Sequence, residues 1–197
     1  IDFICPDITE PVREAGGAIC ELNAAPGFRM HTHPTIRDPH FIAKPVLDSG
    51  AFLISPNAGP STMAGKACNK NFFVTSYQND QVHEVHGKYA QDQKYKTPYI
   101  IAPNYQAGKD SLAGFKRYFK GEIVDEIYSP LNQLDFSAEL TKVAAAKPDA
   151  VFAFYPGGLG VTFVRQYQQA GLKIPLYTTN TIEGTDLDAM GAGAIGA

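Results

Sequence analysis

The chain has 197 residues, with 17 Lys and Arg against 20 Asp and Glu, a net charge of −3 and a pI near 5.9. That balance excludes the basic stripe of a general nucleic-acid binder. Hydrophobic residues are 44% and charged residues 19%, which excludes a compositionally disordered chain, and no apolar run approaches the roughly 20 residues that span a bilayer.

Residues 1–49 carry six prolines and three of the five histidines, with short apolar runs only. Ile1–Cys5 and Ala18–Leu22 read as two strands that pair antiparallel, and Gly16-Gly17 precedes the second as a turn signal. An irregular stretch follows from Ala25 to His40. Phe41–Leu47 has the look of a helix start, with Pro45 weakening it. The texture changes near residue 50. Phe52-Leu53-Ile54 is a short strand stopped by Ser55-Pro56-Asn57, and Phe72–Thr75 is a second. Asn79–Tyr89 predicts a helix with Val82 and Val85 inward. Tyr99–Ala102 is an apolar run suited to a strand covered on both faces. Gly108–Lys120 places Leu112, Phe115 and Phe119 at helical spacing.

Ile123–Tyr128 is a strand. Asp135-Phe136-Ser137 offers capping residues for a helix over Ala138–Ala146, stopped by Lys147-Pro148-Asp149. Ala150–Tyr155 is an apolar strand broken by Pro156-Gly157-Gly158. Val161–Ala170 is a helix ended by Gly171, and Ile174–Thr179 is the last strand. The order β-α-β-α-β-α-β implies an α/β fold, a doubly wound parallel sheet with right-handed crossovers.

Ligands of such sheets sit beyond the carboxyl ends of the strands. Pro103-Asn104-Tyr105, Tyr155-Pro156-Gly157-Gly158, the run from Thr178 to Gly184 and Ser55-Pro56-Asn57-Ala58-Gly59 supply hydroxyls, amides, aromatic faces and a carboxylate there. No Gly-x-Gly-x-x-Gly, no P-loop and no Gly-x-Ser-x-Gly elbow is present, so the region reads as a binder and not an enzyme.

At these residues a family resemblance emerges. Leu53-Ile54-Ser55-Pro56-Asn57-Ala58-Gly59, Asn71-Phe72-Phe73-Val74-Thr75, Asn104-Tyr105-Gln106-Ala107-Gly108, Asp135–Leu140, Lys147–Val151, Gln169–Pro175 and Thr181-Ile182-Glu183-Gly184 keep one order and spacing. Residues 52–197 so resemble the periplasmic substrate-binding proteins of the branched-chain amino acid ABC-transporter class. The resemblance implies a periplasmic-binding-protein type I lobe, a two-lobed clamp closing without chemistry on a branched-chain amino acid or an organic or aromatic acid, and a membrane permease as partner. It implies a periplasmic location, although no signal peptide is legible after Ile1; the alternative is cytoplasmic.

The resemblance also assigns residues. Asn57, Ala58 and Gly59 fall at the ligand carboxylate, Tyr105 at a ring closing on the ligand, and Tyr155, Pro156, Gly157 and Thr179 at further contacts. Glu183 falls against a ligand ammonium, which a partly desolvated carboxylate pairs well. Each has an ordinary alternative: Tyr105 resting on the helix below, Tyr155 as the buried end of its strand, Glu183 solvated, Asn57 capping the turn after Pro56.

Residues 1–49 carry a second signal. Glu21 and Asn23 are two apart on a strand and share a face, with Asp2 on the partner strand: three hard oxygen ligands of the kind that hold Mg²⁺ on a nucleotide phosphate. Ile1–Ile8 and Gly16–His31 resemble the end of an ATP-grasp ligase domain, most closely the cyanophycin synthetase type. That resemblance implies Mg²⁺ and ATP as cofactors, Asp2, Glu21 and Asn23 near the metal, and Arg29 near the substrate. The first reading needs no cofactor. His31-x-His33 with His40 lacks the partner set of a zinc site. The expected organisation is a fragment of ATP-grasp-like β structure over 1–49 followed by an incomplete periplasmic-binding-protein-like domain over 50–197. A composite chain with neither activity is the third alternative.

Overall fold

The structure, a computed structural model, describes the backbone of residues 2–5 and 18–21 together with residues 47–179 and 184. Two compact units divide between Asn79 and Asp80, further along than the change of texture near residue 50.

The first unit holds β1 (Asp2–Cys5), β2 (Ala18–Glu21), β3 (Phe52–Ser55) and β4 (Phe72–Val74), in the order β2-β1-β3-β4. β1 runs antiparallel to both β2 and β3, while β3 and β4 are parallel. The expected pairing of the first two strands therefore holds. The chain after residue 50 does not start a separate sheet, because β3 pairs with β1 through Phe3 opposite Ile54. Leu53 and Ser55 are buried while Phe52 and Ile54 are half-buried, the alternation of a strand covered mainly on one face. Leu53 packs with Leu47, Met63 and Phe72. A 3₁₀ turn over Ser61–Ala64 lies outside the elements expected from the sequence. The helix expected over Phe41–Leu47 falls almost entirely outside the described residues.

The second unit follows the expected alternation: α1 (Asn79–Asp92, opening at the unit boundary), β5 (Tyr99–Pro103), α2 (Gln106–Tyr118), β6 (Asp125–Ser129), α3 (Ser137–Ala146), β7 (Val151–Ala153), α4 (Gly158–Gln169) and β8 (Leu176–Thr178). All its strands are parallel, in the order β6-β5-β7-β8. The step from β5 to β6 crosses the sheet one way, and those from β6 to β7 and β8 cross it the other way. With one hand of crossover, the connecting helices must land on opposite faces. They do. On one face Tyr99, Ile101, Val151, Ala153, Tyr155 and Leu176 pack against Phe136, Leu140 and Val143 around α3 and Phe163, Val164 and Tyr167 of α4. On the other, Ile100, Ala102, Phe152 and Phe154 pack against Ala90 of α1 and Leu112, Phe115 and Phe119 around α2. Every residue of β5 and β7 is buried, which is why both read as unbroken apolar runs.

Local chemistry sets the helix ends. Asp135 accepts hydrogen bonds from the Ser137 amide at 2.9 Å and its hydroxyl at 2.5 Å, and these bonds hold its carboxyl below the usual range. α3 closes on Lys147 in the left-handed region just before Pro148. Arg117 of α2 bonds Asp80 at 2.6 Å and also Glu84, joining α2 to α1.

One expectation is corrected. Val85 is 67% exposed and Val82 only half-buried; α1 turns His83, His86, Gly87 and Ala90 inward instead. Positions 83, 86, 87 and 90 form the i, i+3, i+4, i+7 stripe of a helix face, and the sheet beneath supplies aromatic rings to meet two imidazoles.

Candidate functional site

The strand order of the second unit reverses between β5 and β7, so their carboxyl ends form the topological switch point, where ligands of such sheets bind. β5 leads through Asn104 and Tyr105 into α2. β7 leads through Phe154, Tyr155, Pro156 and Gly157 into α4. Main-chain bonds fix both exits: the Phe154 amide donates to Ile101 of β5 at 3.0 Å, the Asn104 amide to Ser129 of β6 at 2.7 Å and the Tyr105 amide to Pro103 at 2.9 Å. The half-buried Tyr105 ring lies parallel to Phe154, with centroids 6.4 Å apart and planes 11° off. That is an aromatic platform at the switch point. Gly157 takes φ +54° and ψ −137°, a conformation reserved for glycine, and is exposed with Gly158 at the amino end of α4.

Tyr155 is placed differently from its neighbours. Side chains alternate along the strand, so Tyr155 follows Ala153 to the α3–α4 face while Phe154 goes to the other. Its ring meets Phe136 at 4.9 Å and Phe163 at 4.8 Å, and its hydroxyl is 2.9 Å from Ser129 Oγ. Burial pushes that phenol far above its ordinary value. The side chain is thus withdrawn from the loop surface, leaving Pro156 and Gly157 there. Thr179 is buried just past β8, and the carbonyl of the preceding Thr178 accepts a hydrogen bond from His86 Nε2 at 3.1 Å.

Asn57, Ala58 and Gly59 belong to the first unit. The loop they form is tied to residues 75–79. Ser76 Oγ donates to the Asn57 carbonyl at 2.8 Å and Tyr77 Oη to Asn57 Oδ1 at 3.1 Å. The Ala58 carbonyl accepts from Ser55 Oγ at 2.6 Å. Gly59 exchanges bonds with Asn79, donating to Oδ1 at 3.0 Å and accepting from its amide at 2.8 Å. A Cβ on Gly59 would lie 2.1 Å from the Tyr77 carbonyl, so only glycine fits. Asn57 and Ala58 remain exposed. Glu183, Asn23, Arg29 and the histidines at 31, 33 and 40 lie outside the described residues. Asp2 and Glu21 are register partners on β1 and β2.

The sequence reading missed Phe154, which carries the Tyr105 ring, and Ser129, which holds the Tyr155 hydroxyl. It also missed His83 and His86. For the histidines the signal was present in the helical stripe they share with Gly87 and Ala90. Among the described residues no helix is long and apolar enough to cross a membrane.

Comparison with known proteins adds the context. The family model described as periplasmic binding protein matches residues 42–197. A solved solute-binding protein of an ABC transporter from R. palustris, in complex with benzoate, is 31% identical with a TM-score of 0.71, over 77% of this chain and 43% of that one. Leu/Ile/Val-binding protein homolog 6 of Brucella melitensis is 29% identical over 161 residues, 77% of this chain and 41% of its own length. Cyanophycin synthetase of Synechocystis sp. is 33% identical over 121 residues, 57% of this chain and 13% of its own length. The chain spans less than half the length of each.

Proposed function

Because the chain belongs to the periplasmic binding protein family, we propose that it acts as the solute-binding component of an ABC importer. Its ligand is a small amino acid or organic acid, aromatic acids included, held reversibly and without covalent chemistry. The observation that carries this reading is the Tyr105 ring stacked on Phe154 at the reversal of strand order, beside the exposed glycines that open α4. A ring platform next to free helix-terminal amides suits a planar acid: the face meets the ring and the carboxylate meets N–H groups. In the first unit, Asn57, Ala58 and Gly59 are the residues that the family resemblance assigns to a ligand carboxylate. Pro156, Gly157 and Thr179 line the second-unit loops, where Tyr155 contributes main chain, and Glu183 pairs with an ammonium where the ligand has one. A membrane permease is the partner, and the periplasm is the location.

Calorimetry with benzoate, 4-hydroxybenzoate, leucine and MgATP tests the proposal. Saturable heat with an acid or amino acid, weakened about tenfold or more by Tyr105→Ala, supports it. Heat with MgATP alone refutes it.

One observation favours a second reading for the first 49 residues. The β1–β2 register sets Asp2 opposite Glu21, and cyanophycin synthetases match part of the chain. Asp2 and Glu21, joined by Asn23, would then hold Mg²⁺ on ATP, the cation supplying charge neutralisation at the phosphates. Magnesium-dependent ATP binding lost on Glu21→Gln distinguishes this reading.

A further inference from the structure

Beneath the Tyr105 platform the second unit carries two imidazoles that the binding reading does not use. Inward-facing on α1, His83 is 5% exposed and His86 half-buried, with ring centroids 5.8 Å apart. His83 touches the exit of β7, and His86 touches the end of β8. His83 sets its edge against Phe154 at 4.9 Å and 68°, and Phe154 is the ring under Tyr105. His86 lies 4.9 Å from Phe152, is parallel to Tyr177 within 4°, and bonds the Thr178 carbonyl. A carbonyl only accepts, so that bond requires the Nε2–H tautomer of His86. The tautomer is therefore set by the end of β8.

We propose that His83 and His86 are positioning residues for the solute site: a neutral imidazole pair that props the Tyr105–Phe154 platform through His83 and the Thr178–Thr179 loop through His86, and whose protonation loosens both. The proposal rests on the solute-binding reading for its consequence in affinity, not for its structural content.

The surroundings favour the neutral pair. From the sheet, His83 and His86 meet the rings of Phe152, Phe154 and Tyr177 and the Thr178 carbonyl. The charged or titratable groups acting on His83 are Asp80 on α1, Asp110 on α2 and His86 itself. Burial and then the second imidazole outweigh the two carboxylates, and His83 is pushed down to about 4. Burial lowers His86 as well, against the support of the Thr178 and Val82 carbonyls. His83 Nδ1 is buried with no hydrogen-bond partner. A proton there would charge the aromatic layer on which the platform rests, 5.8 Å from the neighbouring ring.

Two measurements decide the matter on the chain as it is. The first is ¹⁵N NMR of the imidazoles from pH 7.5 to 4, recorded with the ring signals of Tyr105 and Phe154. The expected result is a neutral Nε2–H tautomer for His86 and an acid-shifted titration of His83 that moves both ring signals. Rings that ignore the titration, or a His86 protonated on Nδ1 at neutral pH, overturn the proposal whether or not any solute binds. The second is calorimetry with benzoate across the same range, for wild type, His83→Phe and His83→Gln. Once the protonation of benzoate itself is corrected for, affinity is expected to fall about twofold by pH 4, where about half of the His83 rings carry a proton, and that fall is expected to vanish in His83→Phe, which keeps a ring but takes no proton. His83→Gln serves as the neutral control if the Phe variant fails to fold. An unchanged pH profile in a folded variant overturns the proposal. Absence of benzoate binding in wild type at every pH counts against benzoate as the solute and leaves the NMR result to decide the positioning role.

Discussion

The two faces of the second unit's sheet are built from similar apolar residues but treat their polar atoms in opposite ways. On the α3–α4 face each buried phenol has a partner. Tyr155 meets Ser129, Tyr99 donates to Asp125 at 3.3 Å, and Tyr167 donates to the Ile174 carbonyl at 2.9 Å. On the α1–α2 face the Tyr177 hydroxyl, Ser111 Oγ and His83 Nδ1 are buried without one. Unpaired buried polar atoms are costly, so they mark where a fold gives up stability for something else. Here they lie on the face that carries Tyr105. The satisfied face is a finished core. The unsatisfied one lies under the Tyr105 ring.

The comparison is sharpest under truncation. Phe136→Ala on one face and Phe152→Ala on the other remove fully buried rings, and each should cost about 3–5 kcal/mol in denaturant unfolding of the second unit. A loss below about 1 kcal/mol at Phe152 would mean that the α1–α2 face is not a core at all.

Acid comes next. His83 has a lowered folded value, near 4 against an ordinary 6.5. The unfolded chain therefore binds the proton more readily, stability is complete above about 6.5, and it is lost as pH falls toward 4, by on the order of 3 kcal/mol. The slope of stability against pH should flatten in His83→Phe. Equal slopes in both proteins would remove His83 from the explanation.

Arg117→Met leaves Asp80, only 2% exposed, without its guanidinium partner. A loss of about 1–3 kcal/mol in thermal or urea unfolding is expected. Restoration of most of it by adding Asp80→Asn would tie the cost to the carboxylate that loses its guanidinium.

The smallest effects separate the faces most directly. Tyr155→Phe breaks a satisfied bond to Ser129 and should destabilise by about 1 kcal/mol, whereas Tyr177→Phe removes a hydroxyl with no partner and should be neutral or slightly stabilising. The same sign in both variants would erase the distinction.

Much of this was legible beforehand. Tyr99–Ala102 and Ala150–Tyr155 read as covered strands because side chains on both faces meet apolar neighbours, and unbroken apolar runs have few other uses at that length. Leu112, Phe115 and Phe119 announced the buried face of α2 by spacing alone. Tyr105 was legible as a loop ring at a strand exit, but its partner Phe154 was not. In an apolar run the side facing each helix depends on which way the crossover turns. Val85 misled because valine is ordinarily the better core residue. The aromatic sheet beneath α1 accepts imidazoles, and that preference cannot be read from the helix.

By itself, then, the sequence determined the alternation of strands and helices, the parallel sheet over 99–178 and the loops that end its strands, because hydrophobic period and turn residues act locally. The tertiary structure alone decided that β3 joins β1, that Tyr155 turns inward while Phe154 bears the ring of Tyr105, and that two histidines occupy a core face. Those outcomes depend on which surfaces meet across the fold. Whether a polar atom is satisfied is a property of its neighbours and not of its own place in the chain.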